Sequence, residues 1–180
     1  MRERAALVID APLRKGLRIS TFHTLGLSII KKHVDKCALR KGFSIFDAED
    51  SLMLIKDFVP PARTQEKDFL YAIAHHISTW KNDLLSPEEV LKLPLDKPLA
   101  SEAAFIYPKY QAALVAYNAV DFDDLIRLPV YLLRTFSDIR LKMAEQIRYL
   151  LVDEYQDSNT AQYLLVKLLV GEHAKFTVVG

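Results

Sequence analysis

The sequence predicts an α/β fold, in which a parallel sheet core carries a large and mainly helical inserted segment. Two observations lead to this prediction. The C-terminal part contains two short apolar runs, IRYLLV and KFTVVG, separated by a helical pattern, which is typical of neighbouring strands in a buried parallel sheet. A further strand-like segment lies near residue 20, and the roughly 120 residues between it and IRYLLV greatly exceed what a crossover connection needs.

The first predicted elements are a strand and a helix. Residues 17–22, LRISTF, mix β-branched and apolar side chains after Gly16 and predict a strand. The Ser- and Thr-rich string STFHT can cap a helix that runs through LGLSIIKKHV. We therefore expect this strand to end where the helix begins.

The middle of the sequence predicts helices. Four stretches combine capping residues with helical apolar spacing, and they lie at 47–58, 64–83, 86–90 and 100–120. Pro108 is predicted to kink or break the last of them. Trp80 lies on the apolar face of the second, where a core position is favoured over a base-stacking role.

The last third predicts two more helices before the strand-helix-strand unit. DFDDLIRLPVYLLRTF begins with acids suited to a helix N-terminus, and DIRLKMAEQ continues in helical spacing. Residues 148–180 then predict a strand, a helix that begins after Ser158, Asn159 and Thr160, and a second strand.

Composition excludes several classes of protein. The 180 residues are 51% apolar with a formal charge of +1, which excludes polybasic tails and acidic disordered chains. The single cysteine, Cys37, cannot form an internal disulfide, and this favours a reducing cytoplasm. There is no 18-residue apolar run and no signal-peptide pattern. We expect a soluble, cytoplasmic protein that does not contact a membrane.

The near-neutral total hides an uneven distribution of charge. Residues 1–42 hold ten Lys and Arg against three acids, a net of +7, whereas residues 43–180 carry a net of −6. This division suits an anionic partner at one end and a metal ion or a solvated surface at the other. Uneven surface charge without function is the simpler interpretation, and composition alone leaves both open.

An acidic pair follows the strand predicted at IRYLLV. Asp153 and Glu154 stand at its carboxyl end, where ligands bind in open α/β folds. Phosphoryl-transfer chemistry needs this combination, with Asp153 as a ligand of Mg²⁺ and Glu154 to orient and deprotonate the attacking water. A solvated acidic strand end is the alternative.

Longer strings indicate a family. LLVDEYQDSNTAQ at 150–162 resembles the Walker B motif of the UvrD, PcrA and Rep type of superfamily 1 DNA helicases, including its DExxQD pattern. STFHTLG at 20–26 and VDFDDLI at 120–126 resemble two further motifs of that family, in the same order. FTVVG at 176–180 resembles the strand that opens the next motif, and ISTWKNDL at 77–84 is similar to the Rep branch. The resemblance covers the whole chain.

The resemblance implies a P-loop NTPase core of the RecA-like type and a nucleotide site. Asp153 then matches the Mg²⁺ ligand, Glu154 the catalytic base, and Gln156 the group that senses the γ-phosphate of ATP and couples it to DNA. The implied cofactors are Mg²⁺ and ATP.

The resemblance also implies a DNA site. Thr21, Phe22 and His23 match the motif that contacts single-stranded DNA, and helix-start amides beside a ring suit phosphate binding and base stacking. Without the resemblance, His23 would be interpreted as a helix cap or a core histidine. The implied partners are single-stranded DNA, junctions of single and double strands, and replication or repair proteins.

The resemblance also implies a domain organisation. Residues 1–42 are expected to belong to the first motor domain, residues 43–118 to a helical accessory insertion, and residues 119–180 to the continuation of the motor domain. No G-x-x-x-x-G-K-[ST] string occurs in the sequence. We therefore expect a fragment of an ATP-dependent 3′-to-5′ helicase that lacks the Walker A loop and the second motor domain and is inactive alone.

Two alternatives come from other classes. The chain could be a truncated, non-enzymatic module that binds DNA or a partner. A metal-dependent nuclease is the weaker alternative, because its candidate acids have no basic or histidine partner in a recognisable pattern. Those acids are Asp121, Asp123, Asp124, Asp153 and Glu154.

Overall fold

The computed structural model describes residues 16–171 and 174–180. This part of the chain contains α-helices and two pairs of short strands. The elements are α1 (Phe22–Lys32), β1 (Ser44–Ile45), α2 (Ala48–Lys56), α3 (Lys67–Asn82), α4 (Pro87–Val90), α5 (Ala100–Ala116), β2 (Ala119–Val120), α6 (Asp124–Thr135), α7 (Ser137–Gln146), β3 (Tyr149–Val152), α8 (Thr160–Leu169) and β4 (Lys175–Val178). Short 3₁₀ turns at Val34–Lys36, Pro61–Arg63 and Tyr155–Asp157 connect them.

Local capping explains where several helices begin. Asp47 and Asp50 form a reciprocal capping box at the start of α2, and Ser86 and Glu89 form another at the start of α4. Each satisfies backbone N–H groups that have no partner within the helix. The helices predicted from these signals are confirmed.

Pro108 lies inside α5, which runs without a break to Ala116. The ring removes one backbone hydrogen bond, but the buried side chains of Tyr107, Tyr110 and Leu114 hold the helix against the core on both sides of it. Of the kink or break expected at Pro108, the break does not occur.

The strand predicted at residues 17–22 is not formed. Residues 17–21 have no regular secondary structure, and Phe22 is the first residue of α1. A strand needs a neighbour, and within the described residues each strand of the two sheets pairs only with its own partner. The β-branched pattern at residues 17–22 is therefore not sufficient to form a strand.

Both sheets are parallel and two-stranded. β3 pairs with β4, with Leu150 opposite Phe176, which confirms the predicted strand-helix-strand unit around α8. β1 pairs with β2, with Ser44 opposite Ala119, and neither of these short strands was predicted. This second pairing places the entry to the helical segment (Ala48–Ala116) beside its exit.

Buried apolar side chains form two cores. The first lies within 54–119 and is built from α2, α3 and α5; Trp80, 8% exposed, is among its members, as predicted. The second combines α1 with α6 and α8. β2 joins them, because Ala119 belongs to the first core and Val120 to the second.

A buried ion cluster also joins the two cores. The Lys81 ammonium, at the end of α3, lies 2.6 Å from a carboxylate oxygen of Asp121 and 3.0 Å from one of Asp124. Arg127 donates to the other oxygen of Asp124 at 2.9 Å, and the Tyr110 hydroxyl donates to Asp121 at 2.9 Å. Lys81 is fully buried, so these contacts replace its hydration shell. We call Lys81, Asp121, Asp124 and Arg127 the Lys81 cluster.

The cluster lowers the pKa of Asp124. Burial would raise the pKa of the Asp124 carboxyl, but Lys81 and Arg127 outweigh it and hold this pKa at about 2. Burial and the neighbouring Asp121 carboxylate raise the pKa of Asp123.

Helices α1 and α6 pack at Gly26. A Cβ atom at this position would overlap the carbonyl oxygen of Leu125 and would lie 3.2 Å from Cγ of Pro129. The absence of a side chain therefore allows the two backbones to approach closely.

In the described ranges, none of the helices combines the length and apolar character that crossing a membrane requires.

We expect Gly26→Ala to lower the free energy of unfolding by about 2 kcal/mol. The overlap with Leu125 costs up to about 3 kcal/mol, and the better helix propensity of alanine returns about 1 kcal/mol. Denaturant unfolding measures the difference. Lys31→Ala, an exposed change on the same helix, is the control and should stay within about 0.5 kcal/mol of wild type. An unchanged Gly26→Ala midpoint would contradict the close approach.

We expect Lys81→Met to lower the free energy of unfolding by about 3–5 kcal/mol, because buried Asp121 loses its cation and Asp124 keeps only Arg127, while the side-chain length is kept. Lys67→Met, on the exposed start of the same helix, is the matched control. Equal stability of the two variants would show that the cluster contributes nothing.

The pH dependence of stability provides a second test of the Lys81–Asp124 ion pair. The Asp124 pKa is about 2 in the folded protein and about 3.9 in an unfolded chain, so its contribution is complete above about pH 4 and is lost as the pH falls through about 2. Wild type should therefore lose stability in this interval more steeply than Lys81→Met. Parallel pH profiles would contradict the assignment.

Candidate functional site

The acidic loop (Asp153–Asp157) follows β3 at its carboxyl end. Val179 N–H donates to the Val152 carbonyl at 2.9 Å, and Tyr155 N–H donates to the Val179 carbonyl at 3.1 Å. The loop therefore lies at the edge where both parallel strands end, which is where ligands bind in open α/β sheets.

The geometry within the loop is specific. Glu154 adopts a left-handed backbone conformation, φ 53°, which costs a non-glycine residue about 1 kcal/mol or more. Its N–H donates to the Asp153 carboxylate at 3.2 Å, and the Gln156 amide donates to the Glu154 carboxylate at 2.7 Å. Asp153, Glu154 and Gln156, all predicted site residues, are thus together and exposed.

The donors of the loop fit a hard cation. Among the described residues, no Lys, Arg or His side chain forms an ion pair with Asp153 or Glu154. In the same part of the chain, no three His, Cys, Asp or Glu side chains are grouped closely enough to hold a metal by themselves. A cation at Asp153 would therefore keep most of its ligands as water or phosphate oxygens, which is the coordination that Mg²⁺ prefers.

The acids of the DFDD string have a different environment. Asp121 and Asp124 are 5% and 1% exposed, and Lys81 and Arg127 supply the two positive charges that balance them. They are therefore structural groups of the cluster, and this placement contradicts the nuclease alternative.

The predicted DNA motif lies at the start of α1. The Thr21 hydroxyl caps the helix by accepting from Thr24 N–H at 3.2 Å, and Phe22 is half-buried against the second core. The His23 ring meets the Phe122 ring edge-on, with 5.9 Å between centroids. The structure thus brings the TFH motif to the DFDD motif, about 100 residues away in the sequence. Phe122 is 50% exposed, so the pair borders solvent.

Part of the basic N-terminal charge lies on α1 or in contact with it. Arg18 donates to the Ser28 hydroxyl on α1, while Lys31 and Lys32 are exposed at the end of the same helix. Arg2, Arg4, Arg14 and Lys15 lie outside the described residues.

The end of α3 was missed as a candidate region. Its Lys81-Asn82-Asp83 string contacts both the DFDD segment and the start of α8. One signal could have found it: Lys81 stands four residues after Ile77 and extends the predicted apolar stripe of that helix, where a lysine requires a buried counter-charge.

Comparisons with known proteins agree with these motifs. The family model described as UvrD/REP helicase N-terminal domain matches residues 1–180. The chain is 45% identical over 180 residues to the ATP-dependent DNA helicase Rep of Escherichia coli (strain K12), covering 100% of this chain and 27% of that protein. It is 35% identical to the ATP-dependent DNA helicase PcrA of Leuconostoc citreum, over 100% of this chain and 24% of that protein. It is 37% identical to the ATP-dependent DNA helicase UvrD1 of Mycobacterium leprae, over 97% of this chain and 23% of that protein.

The chain spans about a quarter of the length of these curated relatives. Because the family model covers the full chain, the match does not depend on one motif. The chain belongs to the UvrD/REP helicase N-terminal domain family.

Proposed function

We propose that this chain provides the magnesium-binding and water-activating carboxylates of an ATP-dependent DNA helicase that moves 3′-to-5′ on single-stranded DNA and unwinds duplex. The exposed Asp153-Glu154 pair at the carboxyl end of β3 carries the proposal. The relatives Rep, PcrA and UvrD1, which are named ATP-dependent DNA helicases, also support the proposal.

The proposed roles follow from the positions of the side chains. Asp153 would hold Mg²⁺, which neutralises charge on the phosphates of ATP when bound. Glu154 orients and deprotonates the attacking water. The Gln156 amide donates to the Glu154 carboxylate at 2.7 Å. If Gln156 moves when it contacts the γ-phosphate, this hydrogen bond would shift the Glu154 carboxylate as well. The sequence has no G-x-x-x-x-G-K-[ST] loop. The proposed hydrolysis therefore requires a phosphate-binding loop supplied from outside these 180 residues.

The proposed DNA contact is at Thr21, Phe22 and His23. The backbone amides at the start of α1 suit a phosphate, and the His23 and Phe122 rings provide a platform for a base. Single-stranded DNA and its junctions with duplex are the proposed ligands, with replication or repair proteins as partners in the cytoplasm.

The proposed organisation keeps the predicted boundaries. Residues 43–118 form a helical insertion within a motor domain that includes residues 1–42 and 119–180. The β1–β2 pairing and the separate apolar core within 54–119 support this division.

We expect Glu154→Gln, in a helicase-length protein that contains this chain, to reduce DNA-stimulated ATP hydrolysis by about 10²-fold or more, because the general base is lost. Nucleotide binding should stay within about twofold, since the amide keeps the size of the side chain. Steady-state ATPase assays and nucleotide titration measure the two quantities.

Glu145→Gln removes the same charge from the exposed face of α7 and is the matched control. Undiminished hydrolysis by Glu154→Gln would reject the proposed base. Tight Mg-ATP binding by the 180-residue chain alone would contradict the requirement for an outside phosphate loop.

We expect His23→Ala to weaken the binding of a labelled single-stranded oligonucleotide at least about fivefold, the effect of losing one stacking contact. Fluorescence anisotropy at fixed salt measures the affinity. His75→Ala removes an exposed histidine from α3 and should leave the affinity unchanged. Equal affinities of the two variants would place the DNA contact elsewhere.

A further inference from the structure

Asn82 connects two segments that are distant in sequence. Its amide nitrogen donates to the Asp123 carboxylate at 2.9 Å, and its amide oxygen accepts from the Asn159 amide at 2.7 Å. Asp123 adjoins Phe122, the partner of His23, and Asn159 lies two residues beyond the acidic loop. Asn82 therefore stands between the proposed DNA contact and the proposed nucleotide site.

We call the hydrogen-bonded chain of Asp123, Asn82 and Asn159 the Asn82 relay. Its donors and acceptors match in only one orientation of the two side-chain amides. The Asn82 amide nitrogen also donates to the Ser78 carbonyl at 2.9 Å, which can only accept, so the Asn82 oxygen must face Asn159. The Asn159 oxygen caps α8 by accepting from Gln162 N–H at 2.9 Å, which leaves its nitrogen to donate to Asn82. Reversing either amide would set like groups against each other.

The acidic loop depends on anchors at its two ends. Its charged side chains are exposed and receive little support from packing. One end follows β3, which pairs with β4, and the other reaches the α8 cap at Asn159. The neighbouring Thr160 hydroxyl donates to Asp83 at 3.2 Å, a second contact from the end of α3 to this cap.

The other end of the relay is rigid. Lys81, one residue before Asn82, is locked between Asp121 and Asp124 in the buried cluster. A displacement of the DFDD segment would thus move the end of α3, and Asn82 with it.

We propose that Asn82 is a positioning residue that couples DNA binding at the His23–Phe122 pair to the placement of Asp153 and Glu154. The proposal rests on the proposed helicase function. In this proposal Asn82 acts through Asn159 at one end and Asp123 at the other, rather than by contact with nucleotide or DNA.

The kinetic test uses two single variants and their combination in the helicase-length protein. Asn82→Ala removes the middle of the relay, and Asn159→Ser keeps a good helix cap but is too short to reach Asn82. Each should lower the DNA-stimulated kcat about tenfold, equivalent to one lost hydrogen bond, while the KM for ATP and the DNA-independent rate stay within about twofold. The double variant should be no worse than either single variant.

Thr79→Ala is the matched control, because it removes a side-chain hydrogen bond from the same helix outside the relay. It should keep the wild-type DNA stimulation. Wild-type stimulation in Asn82→Ala and Asn159→Ser, or fully additive losses in the double variant, would overturn the proposal.

Hydrogen exchange on the 180-residue chain tests the positioning without relying on catalysis. Asn82→Ala should accelerate exchange of the Asp157 and Gln162 amides about tenfold and leave the α1 amides unchanged. Unchanged exchange at both amides would overturn the inference even if the helicase is active. A different result would reject the proposed function itself, namely undiminished ATP hydrolysis by Glu154→Gln.

Discussion

A single buried ammonium group ties the helical segment to the rest of the described structure. Removing Lys81 from water is costly, and the cost is offset only because Asp121 and Asp124 both contact it at hydrogen-bond distance. Arg127 donates to the other oxygen of Asp124, and the Tyr110 hydroxyl donates to the same Asp121 oxygen that Lys81 contacts. The arrangement therefore fixes the last turn of α3 against the turn that leads into α6.

Burial separates two sets of acids that look alike in the sequence. Asp121 and Asp124 of VDFDDLI lie where two cores meet, and Lys81 and Arg127 supply their counter-charge. The acids of LLVDEYQD follow a strand at the edge of a sheet, remain exposed and meet no cation among the described residues. Similar carboxylates thus serve the fold in one case and are available to a ligand in the other.

The helical segment has its own apolar core, but its end is not independent of the motifs. The turn that holds Lys81 also places Asn82 against Asn159 and Asp123. The close packing of α1 on α6 at Gly26 brings His23 to Phe122 on the same side of the network. Both proposed sites are therefore built on elements that meet around the end of α3.

The sequence by itself determined the helices with capping signals, the parallel strands around α8, the family and the position of the acidic pair, because these depend on local patterns or continuous strings. Only the tertiary structure decided the rest. LRISTF has a strand pattern but no partner strand among the described residues, and Pro108 is tolerated because core packing holds α5 on both sides. The Lys81 cluster and the Asn82 relay join residues about 40 and 77 positions apart, and such pairing depends on how the chain folds back on itself rather than on any local pattern.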